Sequence, residues 1–472
     1  MKRPLTWIAA ACAGRLEGRD TVITGVTVDS RRVTAGDLFV ALSGERTDGH
    51  DHVEDALSRG AVGALVERQT NASGPQVVVE STRDGLLLLA GAERADRDVA
   101  VVGITGSSGK TSTKDLAASV LGSVHRVHAS PESYNTEVGV PLTLLQAPED
   151  TDVIVCEMGS RGPGQITELA RVARPTVGVV TNVGTSHLEY FGSREAVADA
   201  KAELVEALPR EGTAVLNADD AVVRTFAERT KAEILRYGFV QDAEVRGEEL
   251  SLDSMGRASF RVRVGGDGFH LRLSVPGEHM AQNALAAAAS GIALGVPPGE
   301  CAEALANARV SRWRMEIAET SDGVRVVNDA YNANPSSMAA ALRTTRWMAE
   351  PGRLIAVLGE MAELGPVAEE EHERIGELAA RLRIDRLVVV GAWGRRIGVS
   401  ATREGFEPDR VTMCASVAEA EEAVRELVRP GDVVLVKASR AVGLERVAAS
   451  LLHPGQETQG TATGAHRSEG TP

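Results

Sequence analysis

The hydrophobic positions of this chain switch repeatedly between two periods. Short apolar runs such as VAVVGI, VIVC, VGVV and VVLV read as strands buried on both faces. Between them, apolar residues recur at helical spacing, as in GQITELARVAR and EEHERIGELAARLR. Strands alternating with helices predict an α/β protein whose parallel sheets carry helices on both faces. The pattern divides into three units: residues 1–95, 96–310 and 311–452. Within the second, RASFRVRVGGDGFHLRLSV alternates in period two and predicts an antiparallel hairpin turning at GGDG. Residues 453–472 are polar and rich in Gly and Thr, and a disordered tail is expected there.

The second unit opens on VAVVGITGSSGKTSTKDLAASV, Val99 to Val120. It reads as a buried strand, a glycine turn and a helix that begins near Lys110. Glycine leaves out the Cβ that would keep backbone N–H groups from closing on phosphate oxygens. Gly106, Ser107, Ser108, Gly109, Lys110, Thr111 and Ser112 are therefore the candidate nucleotide contacts. In such a turn Lys110 can reach the outer phosphates and the Thr111 hydroxyl can ligate Mg²⁺. The glycines stand at Gly103, Gly106 and Gly109, whereas the strict pattern has one where Ile104 stands.

Composition narrows the partners. The 472 residues suffice for several domains, and 43% hydrophobic with 25% charged fits a globular protein. A formal net charge of −15 argues against a nucleic-acid partner held by bulk charge. No apolar run is long enough to span a membrane. The N-terminal WIAAACA is brief and soon followed by charge, so it reads as an amphipathic helix rather than a signal peptide. Cys12, Cys156, Cys301 and Cys414 are far apart and form no CxxC, which suits reduced core thiols in a cytoplasm.

Several polar residues stand where such a fold collects its ligands, at the carboxyl ends of strands. Glu157 ends VIVC and is a candidate Mg²⁺ ligand. Asn182 and His187, in TNVGTSHLEYFG, open towards the same edge. On position alone, His187 fits a metal role and a structural one equally. Lys201 lies within EAVADAKAELVEAL beside Glu203, where pattern alone favours a solvated surface lysine. Arg312 and Arg314, at the join of the second and third units, are placed to swing onto a γ-phosphate or to serve as linker charges. In NDAYNANPSS, Asp329, Asn332, Asn334 and Pro335 form a rigid polar turn. In the first unit Ser30 and Arg31 suit a phosphate, although a solvated turn explains them as well.

Taken in order, TGSSGKT, EMG, TNVGTSHLE, AKAE, HMAQNALAA, RMEI and NDAYNANP resemble the Mur ligase family, ATP-dependent amide-forming enzymes of peptidoglycan precursor synthesis. The resemblance extends to about residue 452. It implies a small UDP-binding domain, a central ATPase domain and a C-terminal Rossmann-like domain. It also implies ATP and two Mg²⁺ ions, with Thr111, Glu157, His187 and a carbamylated Lys201 as metal ligands. Asn283 then lies near the adenine, Asp329 and Tyr331 near the ribose, and Arg314 at the γ-phosphate. Ser30 and Arg31 would hold the UDP part of the substrate, and Asn135 and Thr136 would face its sugar. DAYNANPSSM and LGEMAELG resemble the branch that joins UDP-N-acetylmuramoyl-tripeptide to D-alanyl-D-alanine. Asn332 and Asn334 would then receive the dipeptide, and no Asp-Asn-Pro-Arg turn suited to diaminopimelate is present. Gln165 stands where relatives often have glutamate. A cytoplasmic monomer is expected. The rival readings are a relative that adds a single amino acid, one that adds glutamate to a folate, or a regulatory P-loop NTPase.

Overall fold

The computed structural model describes residues 1–44, 47–185 and 187–453. The expected tail, beyond His453, lies outside the described residues. The chain is α/β, built on three main sheets. The first has five strands, in the order Arg15–Glu17, Gln76–Val78, Gly63–Val66, Asp37–Val40 and Gly25–Thr27. All its pairs are parallel except the edge strand Arg15–Glu17. The helix Thr82–Ala95 starts at Ser81, whose hydroxyl accepts from the Asp84 N–H. Its Leu86 and Leu89 enter one core with Leu142, Leu145, Ile166 and Leu169 of the central part, so the first two sheets share a hydrophobic interior.

The central sheet has nine strands. Its third strand from one edge, Ala100–Thr105, lies between Val153–Glu157 and Val177–Val180, and both pairings are parallel. Parallel order continues outward through Thr213–Asn217, Glu233–Gly238 and Val245–Leu252. Arg257–Val264 and Asp267–Pro276 then form the antiparallel hairpin expected from period two. Side chains alternate between faces of a strand. Val179 and Val215 thus join one core with Leu116 and Leu285, while Val180 and Leu216 join another with Val197 and Val205. Helices therefore cover both faces, and the carboxyl ends of the parallel strands are left as one open rim.

The third sheet runs Glu316–Glu319, Arg325–Asn328, Val433–Lys437, Leu354–Leu358, Arg386–Val390 and Val411–Cys414. Only its first strand is antiparallel. It too is covered on both faces, by separate cores. Asn334 caps the helix Pro335–Ala349 through a reciprocal box with Ser337, and Pro335 opens the helix with its φ already set. All four cysteines are free and buried.

The helix Lys110–Leu121, which carries the phosphate turn, packs against His279–Ala293. The approach is close at Gly291, where a Cβ would stand 2.4 Å from Val120 Cγ1. Gly291→Val should therefore lower stability by roughly 1–3 kcal/mol through overpacking and weaken nucleotide binding by tilting the turn. Gly299→Ala, whose Cβ would meet nothing within 4 Å beyond its own helical turn, should not. Thermal denaturation with and without nucleotide compares the two.

Candidate active site

The glycine turn joins the strand Ala100–Thr105 to the helix Lys110–Leu121. Gly106 has φ 147°, and a Cβ there would lie 1.9 Å from Thr181 Oγ1. Gly109 has φ 78°, and its Cβ would lie 2.5 Å from Asn283 Oδ1. Conformation and close approach both demand glycine at these two positions. The next loop braces the turn. Ser108 N–H donates to Asn182 Oδ1 at 2.9 Å, and Asn182 Nδ2 returns a bond to the Ser108 carbonyl at 3.2 Å. Thr181 donates to the same carbonyl at 2.7 Å, and Ser107 Oγ accepts from Gly184 N–H at 2.9 Å.

Thr111 stands at the centre of the rim and is 3% exposed. Its hydroxyl donates to Glu157 Oε2 at 2.7 Å and accepts from Arg314 Nη2 at 2.7 Å. Asn135 Nδ2 donates to the other Glu157 oxygen at 2.7 Å. Arg314 also reaches Ser133 Oγ at 3.4 Å and lies over the Tyr331 ring, 4.3 Å from its centroid. Its neighbours Trp313 and Met315 have φ of 60° and 51°, so the linker turns sharply on both sides of the arginine. Arg314 Nε is buried with no hydrogen-bond partner among the described residues. A donor in that state beside a phosphate turn is suited to an anion.

Positive charge crowds the rest of the rim. Lys110 Nζ bends back to the Gly106 carbonyl at 2.8 Å. Burial holds its pKa below the usual lysine value and Arg314 adds to the effect, while Glu157 opposes it. Lys201 is 1% exposed, with Nζ 2.8 Å from Ser160 Oγ. Burial above all, and then the charge of Lys110, bring its pKa down to about 7. His187 donates or accepts at Nδ1 with Glu363, which comes from the third sheet's side. Burial also lowers the His187 pKa, against the opposing effect of the Glu363 hydrogen bond.

Three family models match in order: "Mur ligase family, catalytic domain" over residues 22–97, "Mur ligase middle domain" over 104–291 and "Mur ligase, glutamate ligase domain" over 313–440. A UDP-N-acetylmuramoyl-tripeptide–D-alanyl-D-alanine ligase of Mycobacterium leprae is 42% identical, covering 93% of this chain and 95% of its own. The chain belongs to the Mur ligase family. A Bacillus subtilis ligase of the same name is 35% identical over 96% of this chain and 99% of its own. Among solved structures, MurF from Acinetobacter baumannii superposes with a TM-score of 0.87 at 29% identity, covering 96% of this chain and 99% of that one. MurF from Thermotoga maritima in complex with ADP gives 0.78 at 31% identity, covering 90% and 96%.

For a Mur ligase, the rim gathers Lys110, Thr111, Glu157 and Arg314 directly, with Lys201 and His187 bordering it. The solvated-surface reading of Lys201 is incorrect: its helix turns it inward, onto Ser160. Other candidates take supporting roles here. Asn182 has both ends of its amide on Ser108, so it shapes the turn. Asn283 packs its oxygen against Gly109 and directs Nδ2 to Met280 Sδ at 3.4 Å. Asp329 accepts from Lys437 Nζ at 2.7 Å and from Met315 N–H at 3.0 Å. Tyr331 carries Arg314 on its ring, so these two residues hold the arginine's linker. Asn334 reaches the Ser107 carbonyl at 3.5 Å while its oxygen caps its own helix. Asn332 Oδ1 accepts from Ala333 N–H.

Ser30 and Arg31 lie in the first unit, Arg31 paired with Asp29 at 2.9 Å. Thr136 Oγ1 accepts from Val138 N–H at 3.4 Å within its own loop. Arg312 is exposed. Gln165 accepts from Arg161 N–H at 2.7 Å. Ser133, Ser160, Lys437 and Glu363 are contacts that sequence reasoning missed. Lys437 offered the clearest signal, a charge at the carboxyl end of the buried run VVLV, the same signal that singled out Glu157.

The donors fit Mg²⁺. Among the described residues no group of three or more His, Cys, Asp or Glu is placed to hold a metal. Mg²⁺ needs no such cage, because one or two carboxylates, waters and nucleotide phosphates suffice. The buried pair of Thr111 and Glu157 supplies two hard oxygens beside the turn. Asn182→Ala should weaken nucleotide binding by roughly ten-fold, because the half-buried Ser108 N–H loses its acceptor and its carbonyl keeps only Thr181. Titration calorimetry with ADP measures it, and unchanged affinity would refute the bracing role.

Proposed function

We propose that this chain is an ATP-dependent ligase that joins D-alanyl-D-alanine to the terminal carboxylate of UDP-N-acetylmuramoyl-tripeptide, in cytoplasmic peptidoglycan precursor synthesis. The observation that carries the reading is Arg314 lying on Thr111 of the phosphate turn, with its Nε unpaired among the described residues. The chain also shares 33–43% identity over most of its length with ligases of that name. Four buried free thiols suit a reducing compartment, and no described helix is long and apolar enough to cross a membrane. We read the protein as a monomer.

A carboxylate does not accept an amine directly. In the proposed reaction ATP gives its γ-phosphoryl to the tripeptide carboxylate and ADP leaves. The dipeptide amine attacks the resulting acyl phosphate, a proton is lost, and phosphate departs. Two anions meet in the first step. Lys110 and Arg314 offset their repulsion, and the turn's backbone N–H groups orient the phosphates. Mg²⁺, when bound, neutralises phosphate charge, and Thr111, Glu157, His187 and Lys201 are the residues we assign to hold it. An acyl phosphate is lost to water, so the third unit, seated over the rim through Arg314 and Asn334, shields the site.

Lys201 as a bare ammonium does not suit a metal site. We assign it as a carbamate, formed when the neutral amine adds CO₂. Its burial and low pKa supply that neutral amine close to neutral pH. Lys201→Ala should be almost inactive, and a short carboxylic acid in solution should restore part of the activity. Carbon-13 NMR of protein equilibrated with labelled bicarbonate should give a carbamate signal that the variant lacks; a bare amine in the nucleotide-bound protein would refute the assignment.

Lys110→Ala should lower kcat by orders of magnitude with the fold intact, since a charge clamp on the transition state is removed. Near-normal turnover would remove the phosphate turn from the mechanism. The turn Tyr331–Asn334 carries amides and no arginine, which suits an uncharged dipeptide backbone rather than a second carboxylate. Compared as amines, D-alanyl-D-alanine should exceed meso-diaminopimelate and L-lysine greatly in kcat/KM. A preference for a single amino acid would keep the family and overturn the proposed substrate. ATP hydrolysis independent of both substrates would favour the switch-type NTPase.

A further inference from the structure

Glu363 belongs to LGEMAELG, after the strand Leu354–Leu358, yet its carboxylate lies on the central unit. Its two oxygens are divided between two loops. Oε1 pairs with Arg161 Nη2 at 3.0 Å, in the loop after Val153–Glu157. Oε2 meets His187 Nδ1, in the loop after Val177–Val180. Arg161 follows Ser160, the partner of Lys201, and its N–H is held by Gln165. One carboxylate from the third unit thus touches both loops that carry or hold the candidate metal groups.

The backbone brings the segments together as well. Glu189 N–H points to the Glu363 carbonyl at 3.5 Å. At Gly365, with φ 55°, a Cβ would stand 2.8 Å from Glu189 Cα, so only glycine admits this approach. Glu363 and His187 themselves have φ of 61° and 62°. Bulky residues keep that conformation only where their surroundings hold it, and here each residue helps to hold the other.

We propose that Glu363 is a positioning residue: by accepting from His187 Nδ1 it leaves Nε2 bare and aimed at the cation, and does so only while the third unit is seated. The chemistry follows from the ring. A neutral imidazole has one donor and one acceptor nitrogen, and an ionised carboxylate only accepts. A donor at Nδ1 therefore fixes Nε2 as the lone-pair nitrogen, as a carboxylate behind a metal-binding histidine does elsewhere. Seating of the third unit and readiness of the imidazole become one event. The inference rests on the proposed role of His187 as a metal ligand.

The test uses the full chain with ADP and Mn²⁺ as the metal probe, read by electron paramagnetic resonance. Nitrogen-15 histidine labelling, with His187 assigned through His187→Gln, reads the tautomer in the metal-free protein with ADP. Glu363→Ala should weaken Mn²⁺ binding about ten-fold or more and move the His187 proton towards Nε2. Glu363→Gln, whose amide oxygen still accepts, should recover most of the affinity. Arg161→Ala breaks the other half of the contact and should change affinity by no more than about five-fold, the range of an exposed ion pair. Unchanged Mn²⁺ affinity and tautomer in Glu363→Ala would overturn the inference. Equal damage from Gln and Ala would also overturn it, by showing that the carboxylate acts through charge or as a ligand itself. Mn²⁺ uptake indifferent to His187→Gln would instead overturn the metal-ligand reading on which the inference depends.

Discussion

The hydroxyl of Thr111 is where the parts of this protein meet. It gives its hydrogen to Glu157 from the adjacent strand and receives one from Arg314 in the linker. A hydroxyl has one hydrogen and two lone pairs, so few other side chains could serve both partners from one point. The Glu157 carboxylate at one end and the guanidinium at the other make both bonds charge-assisted. The position of Thr111 is in turn set by the glycine turn, by the helix behind it and by Asn182 across the loop. Loss of any of these would misplace the contact that draws the third unit to the phosphate turn.

The rim is also short of negative charge. Lys110, Lys201 and Arg314 converge on it, while the buried Glu157 offsets the charge of Lys110 and meets Arg314 through Thr111. Burial makes this costly, which is why both lysines are held below the usual lysine pKa. The imbalance makes sense when anions occupy the site. Nucleotide phosphates and a substrate carboxylate would supply the missing charge, and a carbamate on Lys201 would turn one cation into an anion. The electrostatic strain among the rim's own cations and an affinity for phosphate are thus two aspects of one arrangement.

Much of this was legible in the sequence because it depends on local rules. The turn required glycines, the buried strands required apolar runs, and Glu157 stood out as a charge ending such a run. The hairpin followed from period two. Less legible were contacts made across units. Nothing in EAVADAKAELVEAL says which face of the helix is buried, so Lys201 read as a surface residue. The resemblance placed Asp329 and Tyr331 near a ribose, whereas their work of holding the arginine's linker appears only when two distant segments come together. Asn182 is similar: its position at the rim was readable, but its two bonds to Ser108 were not.

Domain seating ties these observations together. Arg314 in the linker, and Asn334 and Glu363 beyond it, all reach the central unit, and they land on different parts of the rim. Arg314 meets the phosphate turn at Thr111, Asn334 meets the same turn at Ser107, and Glu363 meets the loops bearing His187 and Ser160. A single arm would allow the third unit to pivot about its contact. Three arms on separate loops define an orientation. An activated acyl phosphate requires such an orientation, because water must be excluded over the whole rim while the amine approaches along one path. The left-handed backbone at Trp313, Met315 and Glu363 lies in these arms. That placement suits segments that must hold one conformation when seated and relax from it when product leaves.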